Sequence, residues 1–109
     1  MIEYRLGNNV DADAFIELYH ASTLGERRPV DDEARMRQML ENASLMITAW
    51  DGDLLVGVAR SVTDFVYATY LSDLAVRVSH QRQGIGKELM RRTQEAAPQA
   101  TLITRVATH

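Results

Sequence analysis

The chain has 109 residues, 46% hydrophobic and 25% charged, with a net charge of −3 and no cysteine. That length suits a single domain over 1–109 with a real core, and the missing cysteine excludes a disulfide framework or thiolate chemistry. The acidity argues against a nucleic-acid partner. No apolar run nears the roughly 20 residues that cross a bilayer, and the N-terminal Met1-Ile2-Glu3-Tyr4-Arg5 lacks signal-peptide form, so a cytoplasmic protein with no membrane partner is expected.

Ile2 to Leu6 alternate as a short first strand. Asn8-Asn9 and Asp11 make a turn and a helix cap. Ala12, Phe15, Ile16 and Tyr19 then recur three or four apart, which predicts a helix over 11–22. Gly25 to Pro29 is a loop, and Asp31 or Asp32 caps a second helix with Met36, Met39, Leu40 and Ala43 on its apolar side. Methionines at this spacing fill cores more often than they hold cofactors. A strand over 45–50 meets Asp51-Gly52, a strong hairpin signal, and returns over 54–62. After a loop at Thr63-Asp64, a long strand over 65–78 is expected, then a helix over 84–97 stopped by Pro98, then a last strand over 101–106. The fold class is α/β (α+β) in the order β-α-α-β-β-β-α-β, around one largely antiparallel sheet. The last strand follows a crossover helix and should run parallel to the strand before it.

Charge is unevenly spread. Residues 1–53 hold 5 Arg against 11 Asp or Glu, and residues 54–109 hold 7 Lys or Arg against 4. Five cations, Arg77, Arg82, Lys87, Arg91 and Arg92, fall within 77–92 with only Glu88 opposing them. An anionic ligand and a solvated basic helix face both fit that pattern. The junction Gln81-Arg82-Gln83-Gly84-Ile85-Gly86 decides more. Its glycines allow a sharp turn and a close main-chain approach, and the helix that follows offers free N–H groups at a positive dipole end. A Walker loop fails, because Gly86-Lys87 is followed by Glu88 and the required upstream glycine is Gln81. A Rossmann fingerprint is weak, because its third glycine is Leu89.

The segment resembles the acyl-CoA-binding motif of the GNAT N-acetyltransferase family, Arg/Gln-x-x-Gly-x-Gly/Ala, with Gln81, Gly84 and Gly86 at its fixed positions. The preceding Leu74-Ala75-Val76-Arg77-Val78 looks like that family's fourth strand, and residues 1–106 are similar to its first five strands and three helices. The resemblance implies acetyl-CoA as co-substrate, with no metal, and a small-molecule or peptide amine as acceptor. Main-chain groups around Gln83, Gly84, Ile85, Gly86 and Lys87 would cradle the pyrophosphate, with charge from Arg82 and Lys87. Leu74, Ala75 and Val76 would pair with the pantetheine arm. The implied reaction is direct attack of a primary amine on the thioester in a ternary complex.

Members often use a carboxylate on that strand as base, and Asp73 is the nearest match here; the alternative is a strand-bulge or turn acid that bonds to nearby backbone. Tyr67 and Tyr70 line the cleft or simply the sheet surface. Arg27 and Arg28 lie between the first two helices, in a loop that borders the acceptor in the family; they would select an acidic acceptor or form a plain solvated loop. His20, His80 and His109 have no metal-ligand spacing, and Ser79-His80 lacks the Gly-x-Ser-x-Gly elbow of a hydrolase. Relative to the family the chain stops short of a fourth helix, two strands and a thiolate-protonating Tyr. Two outcomes follow: a short acetyltransferase whose fifth-strand edge is covered in a homodimer, or a CoA-binding or interaction module with little or no catalytic activity.

Overall fold

The protein is described by a computed structural model that places residues 1–104. Among these residues five strands make one sheet in sequence order: β1 (Ile2–Leu6), β2 (Leu45–Asp51), β3 (Leu54–Thr63), β4 (Ala68–Val76) and β5 (Thr101–Thr104). The first four pair antiparallel and β5 joins β4 in parallel, as the crossover predicts. The helices are α1 (Ala12–His20), α2 (Glu33–Glu41) and α3 (Ile85–Ala96), with 3-10 turns at Thr23–Arg27 and Val78–His80. Asp11 caps α1 by accepting from the Ala14 N–H at 3.2 Å, and Asp32 caps α2 through Arg35 at 3.1 Å.

Each face of the sheet carries its own core. On one side α1 and α2 bury Phe15, Leu18, Tyr19, Met36 and Leu40 against Met46, Leu55, Val58 and Ala75. On the other, α3 presses Ile85 and Leu89 onto Ile47, Ala49, Val56, Ala59 and Leu71. Burying a side chain such as Leu18 or Leu89 contributes about 1.5–3 kcal/mol.

Two bulges break the alternation. On β3, Ala49 faces Gly57 and Trp50 faces Leu55, so Val56 is an extra residue, and Val56 and Gly57 both turn toward α3. On β4, Arg60 faces Asp73 while Ser61 faces Leu71, leaving Ser72 extra. Leu71 therefore packs toward α3, whereas Asp73 and Ala75 point to the α1 side. Without Ser72 as the extra residue, Leu71 and Asp73 would share a face.

The long strand expected over 65–78 is shorter, Ala68–Val76. Asp64 Oδ1 accepts from the main-chain N–H of Val66, Tyr67 and Ala68 at 2.9, 2.8 and 3.1 Å, winding these residues into a turn with Phe65 at φ 64°. Val78 opens the second 3-10 turn instead of extending the strand. In the last expected strand, residues 105–106 lie outside the described residues.

Candidate functional site

The β4-to-α3 junction is a turn whose main chain faces a groove. Arg82 (φ 65°) and Gly84 (φ 81°) both adopt left-handed backbone, and Gly84 is the helix N-cap. Left-handed geometry is easy for glycine and costly for Arg82, and such strain persists where surrounding structure imposes it. The first helical bond runs from the Glu88 N–H to the Gly84 carbonyl at 3.0 Å, and among the described residues no side chain caps the end. The N–H groups of Ile85, Gly86 and Lys87 therefore precede the helical ladder, at the positive end of a twelve-residue helix. Gln81 closes the turn by donating from its side chain to the Val76 carbonyl at 3.1 Å.

Beside the turn lies a groove of about 250 Å³ lined by Thr23, Leu74, Val76, His80, Gln81, Arg82, Gly84, Ile85 and Gly86. Seven of the ten residues expected around a cofactor line it. Ala75 is buried on the α1 face, and Gln83 and Lys87 are exposed outside the lining. Thr23, from the first 3-10 turn, was invisible to motif reading. His80 fixes the turn to the β2–β3 hairpin, with Nε2 2.8 Å from Asp51 Oδ2 and Nδ1 2.7 Å from Ser79 Oγ. Its hydrogen bond holds the Asp51 carboxyl below the ordinary range.

The basic run divides by role. Arg77 forms a bidentate pair with Glu17 at 2.8 and 2.6 Å and donates to the Leu55 carbonyl, tying α1 to the sheet. Arg91 binds Glu88 and Glu95, and Arg92 binds Glu88 and stacks over Tyr4. These bonds from Arg91 and Arg92 pull Glu88 down to about 2. Among the described residues, Arg82 and Lys87 are the two cations of the run with no ion pair, and both belong to the turn.

Asp73 occupies a different environment. It is 1% exposed. Its oxygens accept from Tyr19 Oη at 2.7 Å, Arg28 Nε at 2.6 Å and Arg60 Nε at 2.6 Å. Arg28 also donates to the Ser72 carbonyl, and Arg60 to Ser72 Oγ. Burial alone would raise the carboxyl. The hydrogen bonds and charge of Arg60, the Tyr19 hydroxyl and the charge of Arg28 outweigh it and hold Asp73 below the ordinary carboxylate range. Burial and the adjoining Asp73 charge push the Tyr19 hydroxyl well above its ordinary value. An ionised carboxylate already accepting three donors is a good anchor and a weak proton acceptor.

Arg28 is thus a structural clamp rather than a solvated loop residue, while Tyr19 and Arg60 carried no signal in the sequence beyond helix and strand periodicity. Tyr67 is 80% exposed at the β3–β4 hairpin, and Tyr70 is exposed on the sheet. Among the described residues, no three His, Asp or Glu side chains gather as metal ligands would, and no helix is long and apolar enough to cross a membrane.

A profile of the acetyltransferase (GNAT) family matches residues 12–109. An uncharacterized ycf52-like N-acetyltransferase of Prochlorococcus marinus is 35% identical over 68 residues. The match covers 59% of this chain and 36% of that protein, well under two thirds of the relative's length. Among solved structures, a GNAT family acetyltransferase of Streptococcus pneumoniae TIGR4 is similar over 100% of this chain and 78% of its own, with TM-score 0.79 and 28% identity. An aminoglycoside N-acetyltransferase in complex with a CoA bisubstrate analogue has TM-score 0.74 over 100% of this chain and 82% of its own, and its 15% identity speaks to the fold alone.

Proposed function

The chain belongs to the GNAT acetyltransferase family, and on that premise we propose that it moves an acetyl group from acetyl-CoA to a primary amine by direct attack in a ternary complex. The observation that carries this reading is the uncapped α3 N-terminus behind a left-handed Gly84, opening on the groove beside Leu74 and Val76. Main-chain N–H groups over Gln83, Gly84, Ile85, Gly86 and Lys87 hold the pyrophosphate, and Arg82 and Lys87 add charge. Gln81 shapes the turn. Leu74, Ala75 and Val76 lend main-chain groups to the pantetheine arm. A methyl group built on Gly86 would stand 3.7 Å from Leu74 and 3.8 Å from Val76, ordinary contact, in keeping with a motif that takes Gly or Ala there.

Acetyl-CoA supplies the activated acyl group. The free amine forms a C–N bond at the thioester carbonyl, the C–S bond breaks, the electron pair leaves on sulfur, and the amine proton passes through water to solvent. Holding the two reactants together is the larger share of the acceleration. Asp73 serves here as a positioning residue: it is ionised, saturated with donors, and fixes the Arg28 loop to β4. Residues 1–109 act as one acyltransferase-like domain in the cytoplasm. A homodimer belongs to the same reading, supported by the exposed Phe65, Val66 and Tyr67 at the hairpin tip and read by sedimentation.

One observation favours a second reading. The strand carboxylate is occupied, so a CoA-binding module with little catalysis would look the same at the groove. Calorimetric titration of acetyl-CoA beside a thiol-release assay with a panel of amines separates the two. Binding with thiol release is expected. Binding without release leaves the module, and no binding defeats both.

A further inference from the structure

Resting on that transferase reading, we infer that the acceptor is a primary amine carrying a carboxylate on an apolar or aromatic body. It would be held by Arg28 and Arg60 and by a shelf of Val62, Tyr70 and Ile103.

The register puts these groups together. Arg60 and Val62 stand two apart on β3 and share a face. Arg60 pairs with Asp73, Val62 with Tyr70, and Tyr70 with Ile103. The row through Arg60 lies under Tyr19 and Arg28. The next row stands open, with Val62 54%, Tyr70 38% and Ile103 47% exposed. An arm running back along β4 from the turn passes Val76 and Leu74 and reaches Ser72 after about 13 Å, at roughly 3.3 Å per residue. Its reactive end thus arrives where the charged row meets the open one.

The charge balance selects the ligand. Two guanidinium groups face one carboxylate, and among the described residues Asp73 is the only acid within ion-pair distance of either. A guanidinium has five N–H donors. Arg28 spends three, on Asp73 and the Ser72 and Arg27 carbonyls, and Arg60 spends two. Their side chains are 25% and 13% exposed, so part of this surplus positive charge meets solvent. A half-buried surplus of one positive charge attracts an anion and repels a polycation. A carboxylate accepts from a guanidinium in a planar, two-point geometry, while the shelf beside it favours an apolar body.

The test is calorimetric titration of phenylalanine and phenethylamine, which share a body and differ by the carboxylate, into protein saturated with CoA. Tryptophan and tryptamine form a second pair, and thiol release is measured in parallel with acetyl-CoA. The carboxylated member of a pair should bind about tenfold tighter. Arg28→Gln should bring that ratio close to one with acetyl-CoA affinity intact, and Arg28→Lys should keep part of it. Tyr70→Ser should weaken both members equally.

Equal or tighter binding of the decarboxylated amines overturns the inference, as does a ratio unmoved by Arg28→Gln or no binding by either pair. If Arg28→Gln also loses acetyl-CoA affinity, the wild-type ratio and Tyr70→Ser decide. A shift from dimer to monomer in Tyr70→Ser, with both amines unaffected, assigns the shelf to a second copy and overturns the inference. Selective binding without thiol release upholds it and defeats the transferase reading. Thiol release with only the decarboxylated amines does the reverse.

Discussion

Gly84 and Gly86 stand two residues apart and differ in what they require. At Gly84 the backbone is left-handed and nothing lies within 4 Å of where a Cβ would be. The penalty of Gly84→Ala is therefore conformational, about 1 kcal/mol in denaturant unfolding. Gly84→Asp adds negative charge where the pyrophosphate should sit, and acetyl-CoA affinity is expected to fall more than tenfold; unchanged affinity by calorimetry would refute that placement. Gly86→Ala meets ordinary contacts inside a helix, so its stability should hold or rise by up to about 1 kcal/mol. Asp73 poses a different residue-scale problem. Asp73→Asn leaves Arg28 and Arg60 without their countercharge, and a loss of about 3–5 kcal/mol at pH 7 is expected. The pH dependence has a definite sign. The folded-state pKa of Asp73 is depressed, so its stabilisation is present above the unfolded value of about 3.9 and is lost as pH falls through the folded value. Unfolding curves of wild type and Asp73→Asn should therefore converge in acid; a gap that stays constant down to the acid limit would refute the assignment.

α3 is positioned by what β3 leaves out. A Cβ at Gly57 would stand 3.0 Å from Leu89 Cδ1 and 3.2 Å from Ile85 Cγ2, so the helix lies almost on the strand. Gly57→Val should overpack this contact and cost about 1–3 kcal/mol. Because Ile85 also begins the helix whose free N–H groups face the groove, acetyl-CoA affinity should fall with stability; calorimetry showing normal affinity in a destabilised variant would separate packing from site. Periodicity revealed the helices and the Asp51-Gly52 turn revealed the hairpin, because each has a local signal, while the parallel direction of the last strand followed from the crossover rule. The junction from Gln81 to Gly86 was readable for the same reason: αL glycine and an uncapped helix start are backbone properties written in a few adjacent residues. A bulge was readable only as one alternative for Asp73, since nothing in Tyr70-Leu71-Ser72-Asp73 marks where pairing slips by one. The Tyr19–Asp73–Arg60–Arg28 cluster depends on that slip and joins residues up to 54 apart, so no spacing rule could reach it. The strand after the expected Thr63-Asp64 loop was started too early for a smaller reason: a run of Phe, Val and Tyr looks like strand until the Asp64 carboxylate captures its N–H groups.

At the scale of the molecule, an acidic chain of net charge −3 would bind a polyanion against its own average field. The pairing pattern resolves this conflict: Arg77, Arg91 and Arg92 are neutralised by Glu17, Glu88 and Glu95, and Arg82 and Lys87, without an ion pair among the described residues, stand at the turn. Attraction is thus local, from two side chains and a helix end, and screening should reach it. Acetyl-CoA affinity is expected to weaken as salt rises from about 0.05 to 0.5 M, over which the Debye length falls from more than about 10 Å to less than half that. The same binding should appear as stability. A ligand at about one hundred times its dissociation constant adds about 2.7 kcal/mol, and for a domain near 100 residues each kcal/mol moves the melting temperature by about 4–8 °C. Saturating acetyl-CoA should therefore raise Tm by about 10 °C or more at low salt and by less at high salt. Lys87→Gln should flatten that salt dependence without lowering the Tm of the free protein, because Lys87 is exposed and makes no ion pair among the described residues. A salt-independent shift would place the binding energy in the apolar arm contacts along Leu74 and Val76 instead of in the turn.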